Sequence, residues 1–164
     1  MPLSAEAEQR AVSPDRTVSV IIPARNEGRT IARLIQAIQQ QAPDGWSVEV
    51  VLVDDGSTDD TVTVARGAGA HVLELGSRAG GGNPAVARNR GAMAATGDPL
   101  VFLDADCLPA PGWLARILAD HAAGAAVVGG SLDLLRQGGG IGSRDARASI
   151  LDGKTPLTVG YFAP

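Results

Sequence analysis

Asp104 and Asp106 stand one residue apart, directly after the apolar run Leu100–Leu103. Ionised carboxylates are acceptor-only oxygen ligands, suited to a hard divalent cation. Two of them cannot fill the roughly six-oxygen shell of Mg²⁺ or Mn²⁺, so substrate phosphate and water must complete it. The pair therefore suits a metal carried in with a diphosphate better than a permanent structural ion. A metal so placed would offset the negative charge that grows on a departing diphosphate. Alternation of side chains along a strand would send both carboxylates to one side. An isolated Asp-x-Asp is more often a solvated turn, and its place at the end of a buried strand is what raises it above that.

Two further polar clusters stand in the same relation to an apolar run. Pro23-Ala24-Arg25-Asn26-Glu27 follows Val18–Ile22, and Asp54-Asp55-Gly56-Ser57 follows Val48–Val53. Asp54 and Asp55 read as capping residues of the next helix or as acceptors for hydrogen bonds from a base or ribose, and the two roles are compatible. The glycine-rich stretch from Gly76 to Gly82 contains neither GxGxxG nor GxxxxGK(S/T), and it reads as a flexible connection. Arg88, early in the helix that follows, is either a phosphate ligand or a plain surface arginine. Cys107, the one cysteine, excludes an internal disulfide and reads as a small buried hydrophobe.

The elements that must hold these clusters alternate between short β-branched runs and helical periods, the pattern of βαβ units on a mainly parallel sheet. The first strand is expected at Val18–Ile22, with Pro23 ending it. The next helix carries Ile31, Leu34, Ile35 and Ile38 on one face. A second strand is expected at Val48–Val53, and Ser57 with Asp60 reads as a capping box opening a helix through Ala65. A third strand follows at His71–Leu75. Asn83 and Pro84 then read as N-cap and first helical residue of a helix reaching about Ala95. A fourth strand is expected at Leu100–Leu103, a helix around Leu114, Ile117 and Leu118, and a last strand at Ala126–Val128. In an open sheet of this kind the carboxyl ends of the strands share one edge, and ligands collect in the crevice where strand order reverses. Topology alone thus brings the three polar clusters together.

Residues 1–16 read as a flexible polar leader, 17–135 as the domain, and 136–164 as an atypical glycine-rich tail of little periodicity. A length of 164 residues suits one core. With 45% hydrophobic and 20% charged residues and a net charge of −4, the chain is not a disordered tail and has no basic stripe for nucleic acid. No signal peptide or membrane-length apolar run is present, so the expected location is cytoplasmic, with a place at the membrane periphery left open.

Val18-Ser19-Val20-Ile21-Ile22-Pro23-Ala24-Arg25-Asn26-Glu27, Val51-Leu52-Val53-Asp54-Asp55-Gly56-Ser57-Thr58-Asp59, Ala87-Arg88-Asn89-Arg90-Gly91 with Ala95-Thr96-Gly97, and Val101-Phe102-Leu103-Asp104-Ala105-Asp106 occur in this order. Together they resemble the family 2 glycosyltransferases, over roughly residues 17–133. The resemblance implies a GT-A fold, a three-layer α/β/α sandwich with a mainly parallel sheet in the order 3-2-1-4. It implies inverting transfer of a hexosyl group from a nucleotide-diphospho-sugar, a UDP-sugar being favoured, with Mg²⁺ or Mn²⁺. It further implies that Pro23, Ala24, Arg25, Glu27, Asp54 and Asp55 serve the nucleotide, that Asp104 approaches ribose and diphosphate, that Asp106 ligates the metal, and that Arg88 aids sugar or phosphate.

Such transfer needs a carboxylate base for the acceptor hydroxyl. Asp133, Asp145 and Asp152 are the carboxylates beyond Asp106 other than Asp120 on the preceding helix, and none lies in a segment resembling the family's base. The expectation is therefore a fold truncated on its acceptor side, with a noncatalytic nucleotide-sugar-binding module as the alternative. A receiver-like phosphorylation switch is disfavoured because its acidic pair would follow the first strand. A sugar nucleotidyltransferase would carry a glycine-rich turn where Pro23–Glu27 stands.

Overall fold

The computed structural model describes residues 16–76, 82–135, 141–146 and 157–162. The leader up to residue 15, the centre of the glycine-rich loop at 77–81 and parts of the tail lie outside the described residues. Four parallel strands, β1 (Arg16–Ala24), β2 (Trp46–Asp54), β3 (His71–Glu74) and β4 (Leu100–Phe102), form a sheet in the order β3-β2-β1-β4. This is the expected order, with the reversal between β1 and β4. Helices α1 (Ile31–Gln39), α2 (Thr61–Gly67), α3 (Pro84–Ala94) and α4 (Trp113–Ala122) cover it.

The alternation of β1 assigns its side chains to two cores. Val18, Val20, Ile22 and Ala24 join Ile31, Leu34, Ile35 and Ile38 of α1, Ala65 of α2, and Trp113, Leu114 and Leu118 of α4 in the larger one. Ile21, Val51 and Val53 meet Ala87 of α3 on the opposite face. The result is a three-layer α/β/α sandwich whose central strand is buried on both sides. Each such branched side chain contributes on the order of 1.5–3 kcal/mol by burial. A second sheet, in the order β5-β8-β6-β7, comprises β5 (Cys107–Pro109), β6 (Gly130–Leu135), β7 (Ile141–Ala146) and β8 (Leu157–Phe162).

Four expectations are corrected. Pro23 does not end the first strand, because it pairs with Val53 and the strand runs on to Ala24. Odd-numbered residues of β1 face β4, as the bonds Ser19 N to Pro99 O and Leu103 N to Ile21 O show. The pairing with β4 stops at Ile21 and Phe102, so Pro23 lacks an N–H where no ladder bond calls for one. Ser57 and Asp60 form no capping box. Helix α2 starts later, behind Asp60, which makes no side-chain cap bond, and the Ser57 hydroxyl is taken by a different partner described below. No strand forms at Ala126–Val128, the next one being β6. Finally, β4 is buried on one face only: Val101 and, just past the strand, Leu103 are covered, while Leu100 and Phe102 are 40% and 48% exposed, because α3 packs mainly over β1 and β2.

The end of the sheet opposite the polar clusters is tied together by a polar staple. The buried Ser19 hydroxyl donates to Glu49 Oε2, which also accepts from Thr96 N at 2.8 Å, while Ser19 Oγ accepts from Gly97 N at 2.8 Å. Burial pushes the Glu49 carboxyl up, but the Ser19 hydroxyl and the Thr96 and Gly97 groups outweigh it and hold the carboxyl below its ordinary 4.5. Gly97 sits so close that a Cβ would lie 2.6 Å from Thr17 O. The staple fixes the connection from α3 into β4 at the end of the sheet remote from the polar clusters.

Candidate functional site

At the carboxyl edge, the loops after β1 and β2 are clasped to each other. Asn26 adopts a left-handed conformation with φ 58°, one that asparagine tolerates better than most residues. Its N–H donates to Ser57 Oγ at 2.9 Å and its Oδ1 accepts from Thr58 N at 2.8 Å. Glu27 N donates to Thr61 Oγ1 at 2.8 Å and Gly28 N to Asp59 Oδ2 at 3.0 Å. The Thr61 hydroxyl, opposed by slight burial and aided by the Gly28 and Thr61 amides, holds Asp59 below its ordinary 3.8. Asn26, Ser57, Thr58, Asp59 and Thr61 were not among the expected site residues. The signal for them was an asparagine in a turn facing a run of Ser, Thr and Asp.

Asp55 joins this clasp to α3. Its N–H donates to Ala24 O at 2.9 Å, and its Oδ2 accepts from Asn83 N. Gly82 is pressed against the same oxygen, where a Cβ would lie at 2.6 Å. Asn83 then caps α3 as its sequence suggests, Oδ1 accepting from Ala85 N at 3.1 Å and Val86 N at 3.2 Å, with Pro84 at the first position. Further along α3, Arg88 Nη2 is ion-paired with Asp104 Oδ1, both side chains being partly exposed.

Asp104 and Asp106 lie beyond β4 in a turn closed by Cys107 N to Asp104 O at 3.0 Å. Strand alternation therefore does not orient them; the turn does. The Cys107 thiol donates to Asp106 Oδ1 at 3.6 Å. Burial, then the charges of Asp106 and Asp104, push that thiol up to about 12, which favours its protonated form.

These parts enclose a cleft of about 320 Å³ lined by Pro23, Ala24, Arg25, Glu27, Asp55, Gly82, Pro84, Arg88, Asp104, Ala105 and Asp106. Of the nine residues expected from the sequence, only Asp54 does not line it. Asp54 is 4% exposed, and its Oδ2 accepts from Gly56 N at 3.2 Å and Ser57 N at 3.1 Å. Its Oδ1 is the one buried side-chain oxygen among the described residues without a hydrogen-bond partner. A larger hollow of about 520 Å³ follows the outer edge of β4, with Leu100, Phe102, Trp113, Ile117 and Val127 among its lining residues. The loops that carry charge converge on the smaller cleft, which makes it the candidate site.

A parallel sheet in the order 3-2-1-4 with an acidic turn after its fourth strand is a GT-A architecture, and the cleft lies beside the strand reversal where such sheets take ligands. Residues 19–159 match glycosyl transferase family 2, and the chain belongs to that family. It is 35% identical over 126 residues to "Glycosyltransferase AglE" of Haloferax volcanii, covering 75% of this chain and 41% of that protein. It is 38% identical over 108 residues to "Glucosyl-3-phosphoglycerate synthase" of Mycobacterium tuberculosis, covering 62% and 32%. The crystal structure of that synthase with Mn²⁺ and UDP-glucose superposes with a TM-score of 0.57 at 28% identity, over 76% of this chain and 45% of the other. The chain thus spans less than half the length of these relatives. Among the described residues no helix is long and apolar enough to cross a membrane.

Proposed function

We propose that this chain forms the donor site of an inverting hexosyltransferase that uses a nucleotide-diphospho-sugar, a UDP-sugar in preference, together with Mg²⁺ or Mn²⁺. The observation that carries the reading is the convergence of Pro23, Ala24, Arg25, Glu27, Asp55, Arg88, Asp104 and Asp106 on one cleft. Structures of the related synthase that hold Mn²⁺ with UDP support the choice of donor and metal.

The residues present fit a metal of a particular kind. Asp104 and Asp106 bring two carboxylates to the cleft, fewer oxygens than a hard cation needs, which suits a cation whose shell a diphosphate and water complete. Asp106, with Asp104, would hold it, and the metal when bound would neutralise charge on the leaving diphosphate. Arg25 and Arg88 present cations for phosphate oxygens at the same cleft. Asp54, buried and outside the lining of the cleft, would serve the nucleotide through the turn that its Oδ2 holds at Gly56 and Ser57 and not by direct contact. Transfer also requires a base for the acceptor hydroxyl, a task assigned to no residue of this cleft.

Calorimetric titration with UDP, GDP and their sugars, with and without Mn²⁺, tests the reading. Metal-dependent UDP binding is expected, weakened more than roughly tenfold, or 1.4 kcal/mol, by Asp106→Ala. Unchanged affinity in that variant would overturn the metal assignment. Hydrolysis or transfer of the sugar would mark an enzyme, whereas binding without either would mark a noncatalytic module.

A further inference from the structure

We propose that Arg88 makes metal capture conditional on the diphosphate, by acting as the cation that Asp104 holds until the diphosphate arrives. The proposal rests on the donor-site reading above. Arg88 Nη2 is paired with Asp104 Oδ1, the side chains being 36% and 47% exposed. A divalent cation approaching Asp104 and Asp106 alone meets a carboxylate already neutralised. To bind, it must break the pair and then share the cleft with a displaced guanidinium of like charge.

A diphosphate removes both obstacles. Its oxygens match the planar fork of an arginine and can engage it in bidentate fashion, which vacates Asp104. Its own charge then draws the metal. An ion pair as exposed as this one is weak enough to be exchanged. The exchange is confined to the side chain, because α3 itself is fixed at its start by the Asn83 cap and the bond from Asn83 N to Asp55 Oδ2. It is also seated on the sheet at Gly91, where Ile21 and Val53 leave no room for a Cβ. Arg88 can therefore swing between Asp104 and a phosphate without the helix moving. Metal and diphosphate become reciprocally coupled ligands, each raising the affinity of the other by the same factor.

The test follows free Mn²⁺ by electron paramagnetic resonance in titrations of the purified chain, with and without UDP, and needs no catalytic activity. In the unaltered protein UDP should tighten Mn²⁺ binding by a factor on the order of ten or more, after allowance for the Mn²⁺–UDP complex in solution, a size typical of coupled sites. In Arg88→Gln, Mn²⁺ without nucleotide should bind roughly 3–10-fold more tightly, the scale of one partly screened charge, and the coupling should fall by at least that factor, leaving what direct contact between metal and diphosphate provides. Arg88→Lys, which keeps the charge and loses the fork, should leave Mn²⁺ alone as weak as in the unaltered protein, an outcome that a merely structural role would not give. If Arg88→Gln changes neither the affinity for Mn²⁺ alone nor the coupling while Mn²⁺ and UDP still bind together, the conditional role is wrong and the donor site stands. If the unaltered chain binds no Mn²⁺ with UDP, the donor-site reading fails and takes this proposal with it.

Discussion

Replacing Gly91 with alanine should unseat α3 and weaken the candidate site without touching any residue that lines it. A Cβ at Gly91 would lie 2.4 Å from Ile21 Cγ2 and 3.0 Å from Val53 Cγ2. Both neighbours are fully buried, and both are β-branched, with little χ1 freedom. Since β1 is clamped between β2 and β4, the helix must rise. Overpacking of this kind costs about 1–3 kcal/mol, and two stiff neighbours put Gly91 toward the upper end. Alanine returns roughly 1 kcal/mol of helix propensity, so the net loss is about 1–2 kcal/mol, or about 3–6 °C in Tm for a chain of this size. Gly67, the last residue of α2, has nothing within 4 Å of its Cβ position. There the same substitution should be neutral or stabilise by up to about 1 kcal/mol. Differential scanning calorimetry of the two variants side by side reads the opposite signs. Because Arg88 lies one turn before Gly91, Mn²⁺–UDP affinity should fall in Gly91→Ala and hold in Gly67→Ala. A Gly91→Ala protein that melts as high as Gly67→Ala would refute the account of how α3 is seated.

Other consequences are open to simpler measurements. Glu49→Gln should lower stability at pH 7 by roughly 1 kcal/mol, the net worth of a charge-assisted bond in a partly exposed place. Since the folded carboxyl lies below its ordinary 4.5, its contribution is complete above that value and is lost as pH falls through the folded one. The variant should accordingly show a flatter acid limb in urea melts between pH 5 and pH 3, and an unchanged limb would remove Glu49 from the staple. Cys107, pushed up to about 12, should resist thiol reagents at pH 8 until the chain unfolds, and rapid labelling of the folded protein would contradict its burial. Between its ordinary 9.0 and about 12 the unfolded chain ionises this thiol and the folded one does not, so alkaline pH should destabilise.

Much of the architecture was legible because periodicity reports burial. The 3.6-residue spacing of Ile31, Leu34, Ile35 and Ile38 identified a helix face whose members are all fully buried. Asn83-Pro84 announced the start of α3 through local chemistry that tertiary contacts left undisturbed. Signals that depend on a distant partner failed. Ser57 carries the right residue type for a cap, yet Asn26, 31 positions earlier, claims its hydroxyl. The apolar run at Val101–Leu103 cannot reveal that β4 is an edge strand, so the exposure of Phe102 came from topology alone. The cleft residues were legible as polar clusters at strand ends. The Arg88–Asp104 pair and the unpartnered oxygen of Asp54 were not, because each is a relation in space between segments that sequence order keeps apart.

The staple of Ser19, Glu49 and Thr96 lies five strand residues below Ala24, on the order of 17 Å from the cleft at the rise of an extended chain. Substitutions separated by more than about 10 Å, with no shared partners, add in their effects on stability. For protein engineering this makes the two ends of the sheet separate workspaces. Stability gained by improving the base of β1 can offset what is lost when the loops at its other end are rebuilt for a new ligand, and neither change needs to be chosen with the other in view.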